Sequence, residues 1–187
     1  MKKIVLTFGS IAGAIFVVMM FTTMQFMDRI GFDKGHLIGY TTMVVAFLFV
    51  FFGIRSYREN IGNGYISFWR AFQVGILITV IACVCYVISW EIVYFNFVPD
   101  FVERYSQYLA EKSRAAGASP EQIAAQVADM QRFQAIYQNP IYNFLLTFFV
   151  EPFPVGLILT VISALILRKR PREVPEPEPD TGAINAY

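Results

Sequence analysis

The sequence has little charge and few of the residues on which metal and disulfide chemistry depend. Of its 187 residues, 16% are Asp, Glu, Lys or Arg, against about 25% in an average soluble protein. It contains two cysteines and one histidine, which are too few for a disulfide framework or a Cys/His zinc site. These scarcities exclude a secreted disulfide-rich domain and indicate that water is not the main solvent of the chain.

Motifs for catalysis are lacking as well. The sequence has no Gly-rich phosphate loop, no His-Glu metal motif and no nucleophile elbow, and the single histidine, His36, cannot form a histidine cluster. A net charge of +1 gives no electrostatic reason to expect nucleic acid as a partner. Cys83 and Cys85 lie two apart in an apolar run, so they are predicted to be free thiols. We therefore expect no enzyme, no cofactor and no metal site.

Long hydrophobic runs dominate what is present. Hydrophobic residues make up 56% of the chain, and a bilayer core of about 30 Å is crossed by about 20 helical residues. The first run exceeds the 7–15 apolar residues that are typical of a signal peptide, so it is predicted to be an uncleaved anchor. The sequence thus predicts an all-α integral membrane four-helix bundle, a single domain over residues 1–170, with spans at about 4–26, 37–54, 71–90 and 141–167.

The distribution of Lys and Arg predicts the orientation of the spans, because positively charged flanks stay on the cytoplasmic side. Both termini are therefore expected in the cytoplasm, with the long connection between the third and fourth spans on the opposite, periplasmic side. The residues that carry this argument all flank one end of the predicted spans: Lys2, Lys3, Arg55, Arg58, Arg70, Arg168, Lys169, Arg170 and Arg172.

The long connection, residues 100–138, is predicted to be a helical hairpin. Asp100 with Glu103, and Ser119 with Gln122, are typical of helix starts, and Gly117 can end the first helix. The favoured interpretation is that the two helices pack on each other and on the membrane surface. The alternative is a partner-binding face formed by four aromatic residues: Tyr105, Tyr108, Phe133 and Tyr137.

Two segments on the basic side are not expected to form a binding site. The connection 55–70 ends in aromatic residues flanked by Arg, which are typical interfacial anchors. Residues 171–187 alternate Pro with acidic residues and are too poor in apolar residues to fold, so they are predicted to form a disordered cytoplasmic tail.

Ionisable residues at membrane depth are costly and so are candidates for function. At about 1.5 Å per residue, Glu151 lies about 25 Å from Arg168, and Glu91 lies about 32 Å from Arg70. The same rise gives similar depths to two further polar residues, Gln25 and His36. For Gln25, His36 and Glu91 taken singly, a polar rim at the outer boundary is the favoured interpretation.

Glu151 is a stronger candidate because it precedes Pro152 and Pro154. Proline lacks an amide hydrogen and clashes with the carbonyl four residues earlier, so these residues predict a kink or break in the fourth span. Such breaks line polar sites in transporters but also occur for packing alone. Packing is the favoured interpretation, and the candidate polar site consists of Glu151, Pro152, Pro154 and Glu91.

A set of short motifs occurs in a characteristic order: Arg58-Glu59-Asn60, Ile66-Ser67-Phe68-Trp69-Arg70-Ala71-Phe72, Pro99-Asp100-Phe101, Gly117-Ala118-Ser119, Tyr137-Gln138-Asn139-Pro140, and Thr147 through Glu151-Pro152-Phe153-Pro154-Val155-Gly156-Leu157. Together they resemble the bacterial membrane-protein family known as domain of unknown function 4199. The resemblance covers nearly the whole chain up to Arg170. It implies a four-helix membrane fold in a bacterial inner membrane, and it implies no activity.

Two functions remain for this sequence. The leading hypothesis is a non-catalytic envelope scaffold that contacts lipid, copies of itself or other envelope proteins through the hairpin. The rival hypothesis is a small proton- or ion-coupled transporter or channel that uses Glu151 and Glu91.

Overall fold

Seven α-helices make up the chain in a computed structural model, which describes residues 1–169. The predicted all-α class is confirmed, and four of the helical segments are long and apolar enough to cross a membrane. The predicted tail, residues 171–187, lies outside the described residues. In chain order the helices are α1 (Lys2–Gln25), α2 (Met27–Asn60), α3 (Phe68–Asn96), α4 (Phe101–Ala115), α5 (Pro120–Tyr137), α6 (Pro140–Val150) and α7 (Pro152–Leu167).

The second and third spans extend well beyond their predicted bounds, whereas the first and fourth match theirs within about two residues. Residues 28–36, which the sequence predicts as a connection, belong to α2 apart from a break at Gly31. Gly31 has φ +74° and ψ 166°, a conformation that is essentially restricted to glycine. The prediction of a connection is wrong because hydropathy marks only the part of a helix that lies in hydrocarbon, whereas helical hydrogen bonding continues into the polar boundary.

The third span, α3, is the centre of the bundle and packs on α1, α2 and α7. Gly9 and Gly13 of α1 lie directly against it. A Cβ at Gly9 would lie 2.9 Å from the Cβ of Ile81, and one at Gly13 would lie 2.7 Å from the Sγ of Cys85. Small residues thus let α1 and α3 approach closely.

A second close contact joins α7 to α3. The hydroxyls of Thr79 and Thr160 form a buried hydrogen bond of 2.9 Å. Gly75 and Gly156 lie beside this pair, and a Cβ at either would lie within 3 Å of side chains on the neighbouring helices. The two glycines therefore set the spacing between the helices.

The segment before α3 pairs through its backbone with the segment after α7. We call this end of the spans, where the predicted cytoplasmic Lys and Arg residues lie, the basic end. Ile66 and Lys169 exchange two backbone hydrogen bonds of 2.9 Å. An Arg58 nitrogen donates to the Leu167 carbonyl at 3.4 Å. Trp69 is 72% exposed beside this pair, which suits an interfacial anchor. We refer to the Ile66–Lys169 pair as the clasp.

Helices α4 and α5 form the connection between the third and fourth spans, and they define the hairpin end. The predicted capping box at Ser119 is confirmed, whereas the Asp100 side chain makes no cap hydrogen bond. The Ser113 hydroxyl donates to Gln126 at 2.9 Å and joins the two helices. The Lys112 ammonium contacts Asp33 of α2 at 2.8 Å. The hairpin is thus fastened to α2.

Candidate intramembrane binding site

The fourth span is broken at Glu151. Helix α6 ends at Val150, α7 begins at Pro152, and Glu151 between them has φ −105° and ψ −81°. Pro152 and Pro154 have no amide hydrogen, so they cannot donate to the carbonyls of Phe148 and Val150 four residues earlier. The break that the two prolines predict is confirmed.

The break separates α6 from the second span. Helix α7 packs on both α2 and α3, whereas α6 packs on α3, α5 and α7 and makes no comparable contact with α2. The side chains at the rim of the resulting opening are apolar or aromatic and exposed: Tyr40 of α2 is 54% exposed, and Val150 of α6 is 68% exposed. We call this opening the α2–α6 gap.

A cavity of about 480 Å³ lies behind the gap, with walls from α1, α2, α3 and α6 and a cover from α4 and α5. This volume is in the range of sites for small molecules, about 300–1,000 Å³. Its wall is rich in sulfur and aromatic rings. Every methionine after Met1 contributes to the wall: Met19, Met20, Met24, Met27, Met43 and Met130. The aromatic side chains are Phe16, Phe32, Tyr40, Tyr86, Trp90, Phe101, Tyr105, Phe133 and Tyr137.

Glu151 is the sole carboxylate that the described residues contribute to this wall. Its side chain is half-buried, and its Oε2 accepts a hydrogen bond of 2.8 Å from the Tyr86 hydroxyl. Neither Lys nor Arg lines the cavity within residues 1–169, and His36 supplies the only imidazole. The site therefore combines an apolar volume with one acidic group.

A buried chain of hydrogen bonds fixes the side of the cavity next to Glu151. The Trp90 Nε1 donates to the Tyr137 hydroxyl at 2.7 Å. The Tyr137 and Thr147 hydroxyls are 2.7 Å apart, and Tyr137 is the donor because the Thr147 hydrogen is directed to Asn143. Thr147 donates in turn to Asn143 at 3.4 Å, and the Asn143 amide donates to the Tyr137 carbonyl at 3.2 Å. Burial raises the pKa of the Tyr137 hydroxyl to about 12, so this network stays neutral. A fully bonded polar network of this kind holds α3, α5 and α6 in one arrangement.

The two predicted acids have different surroundings in the structure. Glu151 lines the cavity, and Pro152 and Pro154 follow it at the start of α7, whereas Glu91 is not among the described lining residues. The Oε1 of Glu91 is buried and has no hydrogen-bond partner among the described residues. The group that meets Glu151 is the Tyr86 hydroxyl.

The four aromatic residues of the predicted partner face lie against the rest of the molecule. Tyr105 and Tyr108 stack on each other, and both contact Phe32 of α2. Phe133 stacks on Tyr137, with ring centroids 5.0 Å apart. Tyr105, Phe133 and Tyr137 line the cavity. The aromatic face of the hairpin is therefore a cover for the cavity.

Sequence reasoning missed Tyr86, Trp90 and the methionines of the wall. The methionines carried a usable signal, because Met20, Met24 and Met27 recur at helical spacing at the same end of the first two spans. Tyr86 was one hydroxyl in an otherwise apolar run, which by itself indicates nothing.

The comparisons with known proteins give a family and no activity. The model of the family described as "Protein of unknown function (DUF4199)" matches residues 7–169. The chain therefore belongs to this family, as its ordered motifs predict. No curated protein and no solved structure matches the chain significantly.

Proposed function

We propose that this member of the DUF4199 family is a small non-enzymatic transporter, which binds a molecule in the cavity and couples that binding to protonation of Glu151. One observation carries the proposal: the Glu151 carboxylate lies in the wall of a molecule-sized cavity, at the break of a membrane-spanning helix. Acids within membrane spans are expensive and usually functional. Broken spans line the substrate sites of many transporters.

The surroundings of Glu151 explain why it would exchange a proton for a ligand. A carboxylate in an apolar wall is unfavourable unless it is protonated, hydrogen-bonded or paired with a cation. The described side chains offer one hydrogen bond, from Tyr86. The other titratable side chains in the wall are Tyr40, Tyr105, Tyr137 and His36. Glu151 is the one carboxylate among the described groups of the wall, so the proposal assigns the exchanged proton to it.

The proposal is tested by measuring charge movement after a pH step, with proteoliposomes on a solid-supported membrane. Wild-type protein is expected to give a transient current that Glu151→Gln abolishes, because glutamine keeps the shape and can accept from Tyr86 but binds no proton. Glu91→Gln is the matched control and is expected to keep the current. A current that persists in Glu151→Gln, or its absence from wild-type protein, would contradict the proposal.

A second candidate function is the scaffold that the sequence favours, and one surface supports it. Ile136 of α5 and Tyr142 of α6 are exposed and line one shallow groove at the hairpin end, and Ile141 beside them is 70% exposed. Apolar surface of this kind can contact a second copy or another envelope protein. A photo-crosslinking residue at Ile136 should then yield an adduct with protein. Adducts with lipid alone would remove this candidate.

The same proposal places the protein in a bacterial inner membrane with its basic end in the cytoplasm and its hairpin in the periplasm. The support is the clustering of Lys and Arg at one end of the spans. In a background without Cys83 and Cys85, we expect Gly117→Cys to react with an impermeant maleimide in cells whose outer membrane is permeabilised. Gly182→Cys should react only after lysis. The reverse pattern would invert the topology.

A further inference from the structure

We propose that the cavity binds a lipophilic monocation, which reaches it from the bilayer through the α2–α6 gap and places its positive charge against Glu151. The inference rests on the proposed function in taking Glu151 as the binding carboxylate. It adds the chemical class of the ligand and its route.

The charges of the wall select a cation. Glu151 faces the cavity, and the described wall contains neither Lys nor Arg. An anion would therefore meet an uncompensated carboxylate and find no strong partner. A neutral ligand would leave the carboxylate to be neutralised by a proton. A single positive charge pairs with Glu151 directly, in a medium of low dielectric constant where such pairing is strong.

The remaining wall suits a bulky organic cation better than a hydrated ion. Aromatic faces attract cations through the ring quadrupole. The ring of Tyr86 meets the acid directly through its hydroxyl, and the ring of Phe16, which also lines the cavity, packs against Tyr86 with centroids 5.2 Å apart. The methionine side chains are flexible and polarisable, so they can adapt to irregular apolar shapes. The described wall does not offer the ring of oxygen ligands that a small metal cation requires.

The position of the opening determines the route. At the hairpin end, Phe32 of α2 packs against Phe101 and Tyr105 of α4, so aromatic rings lie across that end of the cavity. The α2–α6 gap opens sideways between two membrane-spanning helices, where Tyr40 and Val150 are exposed. A ligand that uses this opening must first dissolve in lipid, so it must be lipophilic as well as charged.

Binding can be measured with tetraphenylphosphonium as the probe and tetraphenylborate as a control of nearly the same shape and opposite charge. The chain has two tryptophans; Trp90 lines the cavity, and Trp69 lies exposed at the basic end. In full-length protein with Trp69→Phe, the fluorescence of Trp90 reports the cavity. Equilibrium dialysis of the radiolabelled ions in the same detergent gives an independent dissociation constant.

We expect saturable binding of tetraphenylphosphonium that is at least about tenfold tighter than binding of tetraphenylborate, a difference of about 1.4 kcal/mol. Glu151→Gln should weaken binding of tetraphenylphosphonium by at least about tenfold, and Glu91→Gln should leave that binding unchanged. Equal binding of the two ions, absence of saturable binding, or unchanged binding in Glu151→Gln overturns the inference. The comparison of the two ions on wild-type protein needs no variant, so it holds even if Glu151→Gln misfolds.

The route has its own variant. Gly39 lines the cavity, and a Cβ built there meets no atom within 4 Å. Gly39→Phe should therefore fold, occupy the opening and reduce binding of the cation, while Leu37→Phe, at an exposed position of α2 outside the described cavity wall, should bind normally. Normal binding in Gly39→Phe overturns the route.

The outcomes also separate the inference from the proposed function. A pH-step current that depends on Glu151, together with equal binding of the two ions, leaves the proposed function and removes the cation. Selective binding of the cation without such a current removes the proton coupling instead.

Discussion

Replacement of Gly156 by leucine is expected to destroy the native packing of the bundle. A Cβ at this position would lie 2.5 Å from the Cγ2 of Thr79 and 2.7 Å from the Cζ of Phe47. Both neighbours are completely buried, so neither can turn aside. Overpacking a core usually costs about 1–3 kcal/mol. Because leucine adds three further carbons between two helices, we expect a loss of more than about 3 kcal/mol of unfolding free energy.

Circular dichroism monitors the loss of helix as SDS is added to protein in mild detergent, and the quantity compared is the midpoint of unfolding. Gly39→Leu is the matched control, since it makes the same change in a helix where a Cβ meets open space. The control should be at least as stable as wild type, because leucine is the better helix former by about 0.8 kcal/mol. Equal midpoints for Gly156→Leu and Gly39→Leu would show that the close contact of α7 is unimportant.

Removal of both prolines at the break is expected to close the cavity. In Pro152→Ala/Pro154→Ala, two amide hydrogens return and can bond the carbonyls of Phe148 and Val150, which makes a continuous fourth span more favourable by about 3 kcal/mol per proline. A straight span would carry α6 along the axis of α7 and therefore toward α2. We expect the α2–α6 gap to narrow and tetraphenylphosphonium binding to disappear, although Glu151 is retained.

The width of the α2–α6 gap can be measured as the distance between spin labels at Tyr40→Cys and Val150→Cys. The method is pulsed electron paramagnetic resonance, on protein in which Cys83 and Cys85 are replaced by alanine. The distance distribution should shift to shorter values in the double-alanine variant. Pro140→Ala is the control, because Pro140 occupies the first turn of α6, where an amide hydrogen has no helical partner. An unchanged distribution would mean that packing of the hairpin, and not the prolines, sets the direction of α6.

Local chemistry in the sequence predicts much of this fold. Apolar runs of membrane length locate the four spans, Pro152 and Pro154 locate the break, and Ser119 with Gln122 locates the start of α5. Each of these features depends on neighbours a few residues away in the chain. The direction that α6 takes after the break depends on packing with α3 and α5, and nothing near Glu151 in the sequence encodes it.

The partner of Glu151 shows the same limit. A depth along a helix axis contains no information on which way a side chain points, so two acids at similar depths can face different neighbours, as Glu151 and Glu91 do. Depth along α3 nevertheless points to Tyr86. Tyr86 lies about 24 Å from Arg70 by the helical rise, closer than Glu91 to the depth of Glu151.

The two halves of the fourth span are held in different ways, and the clasp contributes to this difference. With Lys169 tied to Ile66 and α7 packed on two spans, the half that follows Glu151 is anchored. The half that precedes it, α6, meets the anchored part at a residue outside both helices and is held instead by its contacts with α3 and α5. A ligand that moved from the cavity toward the basic end would have to displace α7 from the core that it shares with α2 and α3, and the clasp opposes that displacement by tying down the far end of α7.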